Sequence, residues 1–203
     1  MFIKICGLRT ARDVDAAVTA GADAIGFVFA PSPRLVGAAE ARELAERVPP
    51  HVLTVGVFRR QPLDEVTSLA AAAGLRAVQL HGDEGPEYYT ALRQAGYTLL
   101  RATAPHPGRP ERCGALGEQM LLLDAPAPGS GRAWDWSDPR FVPPQGRWIL
   151  AGGLDAGNVA RAVRELSPWG VDVSSGVEAD RGVKDPALIT AFVAAARGAN
   201  SSA

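Results

Sequence analysis

Short runs of apolar and β-branched residues alternate along the chain with longer stretches whose apolar positions recur every three or four residues. The short runs predict strands at 2–6 (FIKIC), 23–29 (DAIGFVF), 51–58 (HVLTVGVF), 77–82 (AVQLHG), 98–104 (TLLRATA), 120–125 (MLLLDA), 147–153 (RWILAGG) and 171–176 (VDVSSG). The longer stretches predict helices at 10–20, 37–47, 62–73, 86–95, 157–166 and 186–197. Several open on start signals, among them Pro62 followed by Asp64 and Glu65, Pro86 with Glu87, and Asp185 with Pro186. Gly21, Gly74, Gly96 and Gly198 stand where four of them end.

Strands returned every 20 to 30 residues through a helix are parallel, because a parallel return needs a crossover of a dozen or more residues. Eight such strands predict an α/β fold, a (β/α)8 TIM barrel occupying residues 1–203 as one domain. An open flavodoxin-like sheet would need fewer strands, and no shift in composition marks a second domain. The fifth and sixth units are the thinnest. After the fifth strand, three prolines leave room only for a short helix near 110–118, and the Pro/Gly-rich segment after the sixth leaves room for about one helical turn.

Composition narrows the partners. Of 203 residues, 47% are hydrophobic and 21% charged, enough apolar surface for a full core. A formal net charge of −1 offers no global attraction to nucleic acid or an anionic membrane, so any anion site must be local. Cys6 and Cys113 lie far apart with no Cys/His cluster, which argues against a zinc site or a disulfide scaffold and suits a reducing, cytoplasmic setting. The first residues carry Lys4 and Arg9 without a long apolar core, unlike a signal peptide, and no run reaches the roughly 20 apolar residues of a membrane span.

In a parallel barrel the chemistry gathers at the C-terminal ends of the strands. Three of those ends carry a group able to move a proton or attack: Cys6, His81 and Asp124. Asp124 closes an otherwise apolar strand, where a carboxyl group loses hydration and tends to keep its proton, as a general acid must; a loop-pinning aspartate is the alternative. A lone cysteine is most often an inert small hydrophobe. Alternation nevertheless turns Cys6 and Lys4 into the barrel and Ile3 and Ile5 toward the helices, so that Cys6 faces Asp124 across the mouth. Gly152 and Gly153 after the seventh strand, with Ser174, Ser175 and Gly176 after the eighth, predict a phosphate cradle of backbone amides and hydroxyls. Arg34, in a loop stiffened by Pro31 and Pro33, can grip a carboxylate with two parallel hydrogen bonds; a solvated surface arginine is the alternative. Lys4 and Asp172 are placed to pair inside the barrel, and His81 serves as a base, a positioning donor or a structural histidine.

The segments KICGLRT, GADAIGFVFAPSPR, VGVF, VQLHGDE, LLLDA, LAGGLDAGNV and GVDVSSGVEADRGVKDPALITAFV together resemble the phosphoribosylanthranilate isomerases of tryptophan biosynthesis, in the family's order, from residue 3 to about 195. The resemblance implies a (β/α)8 barrel that performs an Amadori rearrangement of a small phosphoribosyl anthranilate substrate without cofactor or metal. It further implies that Cys6 is the general base, Asp124 the general acid, Arg34 the holder of the anthranilate carboxylate, and Gly152, Gly153 and Ser174–Gly176 the phosphate cradle. His81 and Asp172 are taken as supporting substrate contacts, and the protein as a monomer or homodimer with neither nucleic acid nor membrane as partner. A thiolate base requires Cys6 to be partly ionised near neutrality, below its ordinary value, with Lys4 or a bound cationic intermediate as the expected source of help.

Two positions depart from the family pattern. Arg9 is added after the cysteine, in GLRT, where it either caps the first helix or touches the loop after the acid. In that loop Pro128 stands first in PGSG, where the family carries glycine. The sugar isomerase of histidine biosynthesis runs the same rearrangement but uses an aspartate where this chain has Cys6. Indole-glycerol phosphate synthase calls for a lysine pair and an N-terminal extension. A non-catalytic barrel sensing a phosphorylated ligand would have no use for the Cys6 and Asp124 pair.

Overall fold

The computed structural model describes residues 1–106, 108, 110–125, 136 and 138–200. Eight parallel strands close into a barrel: β1 (Phe2–Cys6), β2 (Ala24–Val28), β3 (Leu53–Phe58), β4 (Ala77–Leu80), β5 (Thr98–Thr103), β6 (Met120–Leu123), β7 (Trp148–Leu150) and β8 (Gly170–Val173). The ring closes because β1 pairs on both sides, Cys6 opposite Gly26 of β2 and Lys4 opposite Asp172 of β8. Among the described residues six α-helices cover it: α1 (Ala11–Ala20), α2 (Ala38–Ala45), α3 (Leu63–Ala72), α4 (Pro86–Gln94), α5 (Val159–Leu166) and α6 (Pro186–Asn200). Local chemistry sets their starts. Thr10 Oγ1 accepts the Asp13 amide at the head of α1, Pro86 opens α4, and Asp185 accepts the Ala187 amide at the head of α6. Helix α6 packs on both α1 and α5, joining the two ends of the chain.

Alternation sorts each strand into two layers. Ile3 and Ile5 join Leu8, Val14 and Phe192 in the shell between sheet and helices. Inside, Ala24, Val55, Ala77, Leu100, Leu122 and Ile149 fill the lower barrel. Above them Lys4, wholly buried, meets Asp172 at 2.8 Å, the expected internal ion pair. Cys6, Val28, Ala30 and Val57 form the uppermost layer.

The connection from β5 to β6 corrects one expectation, because no helix forms near 110–118. Gly114 and Gly117 sit at φ 87° and 89°, a left-handed conformation that breaks a right-handed helix. The buried Glu118 carboxylate pins the resulting turns instead, accepting Arg101 Nε at 2.9 Å and the Leu116 amide at 2.8 Å. Most of the segment after β6, including Pro128 and the turn expected there, lies outside the described residues. Beyond β8 the chain adds elements that the hydrophobic pattern did not announce. A single 3-10 turn (Ser175–Val177) leads into a small hairpin of β9 (Glu178–Asp180) and β10 (Val183–Lys184). Among the described residues no helix is long and apolar enough to cross a membrane.

Candidate active site

A cavity of about 220 Å³ opens at the C-terminal end of the barrel, and Cys6, Arg34, His81, Asp124, Asp172 and Ser174 all line it. Six of the ten residues singled out from the sequence therefore share one space. Gly152, Gly153, Ser175 and Gly176 stand on the adjoining loops after β7 and β8, outside that lining. Among the described residues no cluster of three or more His, Cys, Asp and Glu is arranged to hold a metal ion.

Asp124 follows β6 directly. Its Oδ1 accepts the Ala125 amide at 2.8 Å, and its Oδ2 lies 3.3 Å from His81 Nε2. On the far side of the imidazole, Gln79 Nε2 approaches His81 Nδ1 at 3.2 Å. With the Gln79 amide donating there, the imidazole proton sits on Nε2 and points at Asp124, an assignment made from the network. His81 is thus placed to orient the carboxyl group. Gln79, which the sequence did not mark out, also lines the cavity, and its Oε1 is buried with no hydrogen-bond partner among the described residues.

Cys6 lies across the cavity at the end of β1. Contrary to the expected depression, its thiol is pushed above its ordinary value: burial dominates, and Asp172 adds to it, while Lys4 and Lys184 pull the other way. The same groups act on Lys4 in reverse. Burial disfavours its charge, yet Asp172 and Cys6 overcome that and leave the ammonium firmly protonated.

Arg34 is almost fully buried and is held by a partner that the sequence did not point to. Its Nε and Nη2 donate to the two oxygens of Glu178 at 2.6 and 2.9 Å. Lys184 donates to Glu178 Oε1 at 2.8 Å, and the Gly182 amide to Oε2 at 3.1 Å. Burial alone would raise Glu178, but Arg34 and Lys184 hold it down to about 2. The only local signal for this arrangement is the short EADRGVK segment, whose tight turn pairs Glu178 with Lys184 across the hairpin. Arg9 settles nearby, donating to the Pro33 carbonyl at 2.9 Å, so it braces the loop that carries Arg34.

The loops after β7 and β8 are pressed together. A Cβ at Gly176 would lie 1.9 Å from the Leu154 carbonyl oxygen, and one at Gly152 would lie 2.5 Å from the Ala125 amide nitrogen and 2.9 Å from Asp124 Oδ1. Gly152 therefore makes room for the acid as well as turning the chain at φ 85°. Ser174 sends its hydroxyl proton to the Cys6 carbonyl at 3.1 Å. The amides of Gly153, Ser175 and Gly176 donate to no acceptor among the described residues, which leaves them for an anion. Gly176→Ala should displace the β7 loop, lowering stability by about 1–3 kcal/mol and raising KM for a phosphorylated substrate about tenfold. Thermal melts and steady-state kinetics check both, and an unchanged KM would separate the loop from substrate binding.

The same chain matches, over residues 3–195, the family model described as N-(5'phosphoribosyl)anthranilate (PRA) isomerase. It is 46% identical to the N-(5'-phosphoribosyl)anthranilate isomerase of Dechloromonas aromatica, with 98% of each chain covered. Among solved structures it resembles TrpF from Jonesia denitrificans, with a TM-score of 0.87, 44% identity and 98% of each chain covered. A further similar structure is a phosphoribosyl anthranilate isomerase in complex with reduced 1-(o-carboxyphenylamino)-1-deoxyribulose 5-phosphate. The TM-score there is 0.79 at 31% identity, covering 98% of this chain and 99% of the other.

Proposed function

The chain belongs to the phosphoribosylanthranilate isomerase family, and we propose that Asp124 and Cys6 carry out the isomerisation as general acid and general base. The reaction, a step of tryptophan biosynthesis, is an Amadori rearrangement. It converts N-(5-phosphoribosyl)anthranilate, an aminoaldose, into the aminoketose 1-(2-carboxyphenylamino)-1-deoxyribulose 5-phosphate. The observation that carries the assignment is that Cys6, at the end of β1, and Asp124, just after β6, line one cavity together with Arg34.

Asp124 gives its proton to the furanose oxygen as the C1′–O bond breaks, and the ring opens to an iminium. The iminium acidifies the C2′ proton, which the Cys6 thiolate removes to form an enolamine. The enolamine then tautomerises to the ketone, taking a proton at C1′ from solvent and releasing the C2′ hydroxyl proton to solvent. Exchange with solvent returns Asp124 to its acid and Cys6 to its thiolate, so no net proton is consumed. Arg34, held rigid by Glu178, faces the anthranilate carboxylate. The cradle of Gly152, Gly153, Ser175 and Gly176 suits the phosphate, with Ser174 bracing it from the strand end, and Asp172 keeps Lys4 in place beneath the base. A thiol base and a small phosphorylated substrate fit a cytoplasmic enzyme, monomeric or homodimeric, with no nucleic-acid partner.

Adding the protein to phosphoribosylanthranilate should abolish the substrate's fluorescence, whereas a barrel that only senses a phosphorylated ligand would leave it. The profile of kcat/KM against pH should be bell-shaped. A form with Cys6 ionised and Asp124 protonated holds the same number of protons as a thiol facing a carboxylate, so loss or gain of one proton from either inactivates it. A profile that only rises with pH would remove the acid from the mechanism.

A further inference from the structure

Lys184 is buried behind the barrel mouth and spends its ammonium protons inside the protein. It donates to Glu178 Oε1 at 2.8 Å, to the Ser174 carbonyl at 2.8 Å and to Ser174 Oγ at 3.2 Å. Ser174 Oγ in turn donates to the Cys6 carbonyl at 3.1 Å, and on the other side Glu178 grips Arg34 with both oxygens. One continuous network thus runs from the arginine of the carboxylate site to the residue assigned as base.

Asp124, His81, Arg59 and Arg181 line the same cavity as Cys6. The charges that act on Cys6 come from four directions: Lys4 on its own strand, Asp172 on β8, Lys184 on β10 and Arg34 in the loop after β2. Two carboxylates sit among these cations, and both are committed, Asp172 to Lys4 and Glu178 to Arg34 and Lys184. Without Lys184, two cations would meet two carboxylates and cancel. The cluster thus carries one net positive charge, which loss of Lys184, as of any one of its three cations, would cancel.

We infer, on the reading that Cys6 is the base, that Lys184 is its positioning residue: it pins the end of β1 through Ser174 and favours the thiolate, while Glu178 fixes Lys184 and Arg34 in one geometry. A lysine serving only to pack the hairpin would have no effect on the cysteine's ionisation. Burial, the largest influence on Cys6, raises its thiol, and Lys184 joins Lys4 in opposing that.

The test is the pH dependence of iodoacetamide alkylation of Cys6, since only the thiolate reacts. It is measured in a Cys113→Ser background that leaves Cys6 as the sole thiol. Lys184→Met should move the alkylation midpoint up by about one pH unit, a tenfold slower reaction at neutral pH, and Lys184→Arg should restore most of it. Glu178→Gln should move the midpoint down, because it removes a negative charge from the same cluster. Opposite shifts from the two partners of one ion pair are the signature, since a purely structural pair would shift neither. A folded Lys184→Met protein with an unmoved midpoint overturns the inference. If that variant does not fold, a midpoint in Glu178→Gln that stays or rises overturns it instead. Failure of the base assignment shows up separately, as turnover surviving in Cys6→Ala while these midpoints still shift.

Discussion

Asp124→Asn should lower kcat about a thousandfold while KM changes by less than about threefold. The substitution removes the transferable proton and little else. The side-chain carbonyl that replaces the carboxyl group can still accept the Ala125 amide that Asp124 Oδ1 holds at 2.8 Å, and the new amide nitrogen can face His81 once the imidazole changes tautomer. Fold and binding cavity should therefore survive, which a thermal melt within a few degrees of the parent would verify. His81 sharpens the reading, because it is the nearest other group able to deliver a proton from that side. His81→Gln should cost about tenfold, as loss of an orienting contact. A reversal of that order, with His81→Gln the more damaging variant, would transfer the acid's role to the histidine.

The barrel and the position of its mouth were legible in the sequence because parallel strands are buried on both faces and leave continuous apolar runs. FIKIC maps onto β1 residue for residue, while other runs overshoot: His81, Asp124, Gly152 and Ser174 all lie just beyond the strands to which the pattern joined them. Those positions extend the strand pattern in sequence but are irregular in structure, because the backbone there leaves the sheet and turns into the loops at the barrel mouth. The helix expected near 110–118 failed for a local reason that was visible in principle, two glycines three residues apart at left-handed angles. The partnership of Arg34 with Glu178 was not visible. It joins positions 144 residues apart and depends on the hairpin beyond β8 folding back toward the β2 loop. The raised thiol of Cys6 was equally hidden, since it is a balance of burial and Asp172 against Lys4 and Lys184, contributed by three different strands.

Cys6→Ser should lower kcat about a thousandfold and Cys6→Ala at least as much, with substrate still bound. Cysteine is suited to this position because its thiol ionises far more readily than a hydroxyl does. The rest of the site is arranged as though that ionisation needs support. Buried among Val28, Ala30 and Val57, the thiol gains little from solvent, so its charged form depends on Lys4 and Lys184 and, in the proposed mechanism, on the developing positive charge of the iminium. Under the proposed assignment that dependence couples base to acid: the thiolate would be most favoured once Asp124 had opened the ring and an iminium stood in the cavity. A serine in the same place keeps the size and the polar atom but not the accessible anion, so it should bind substrate with near-parent KM and turn it over slowly. Alanine removes the atom altogether and serves as the stricter test. Near-normal turnover by Cys6→Ala would mean that another group takes the C2′ proton, and the assignment of the base would fall with it.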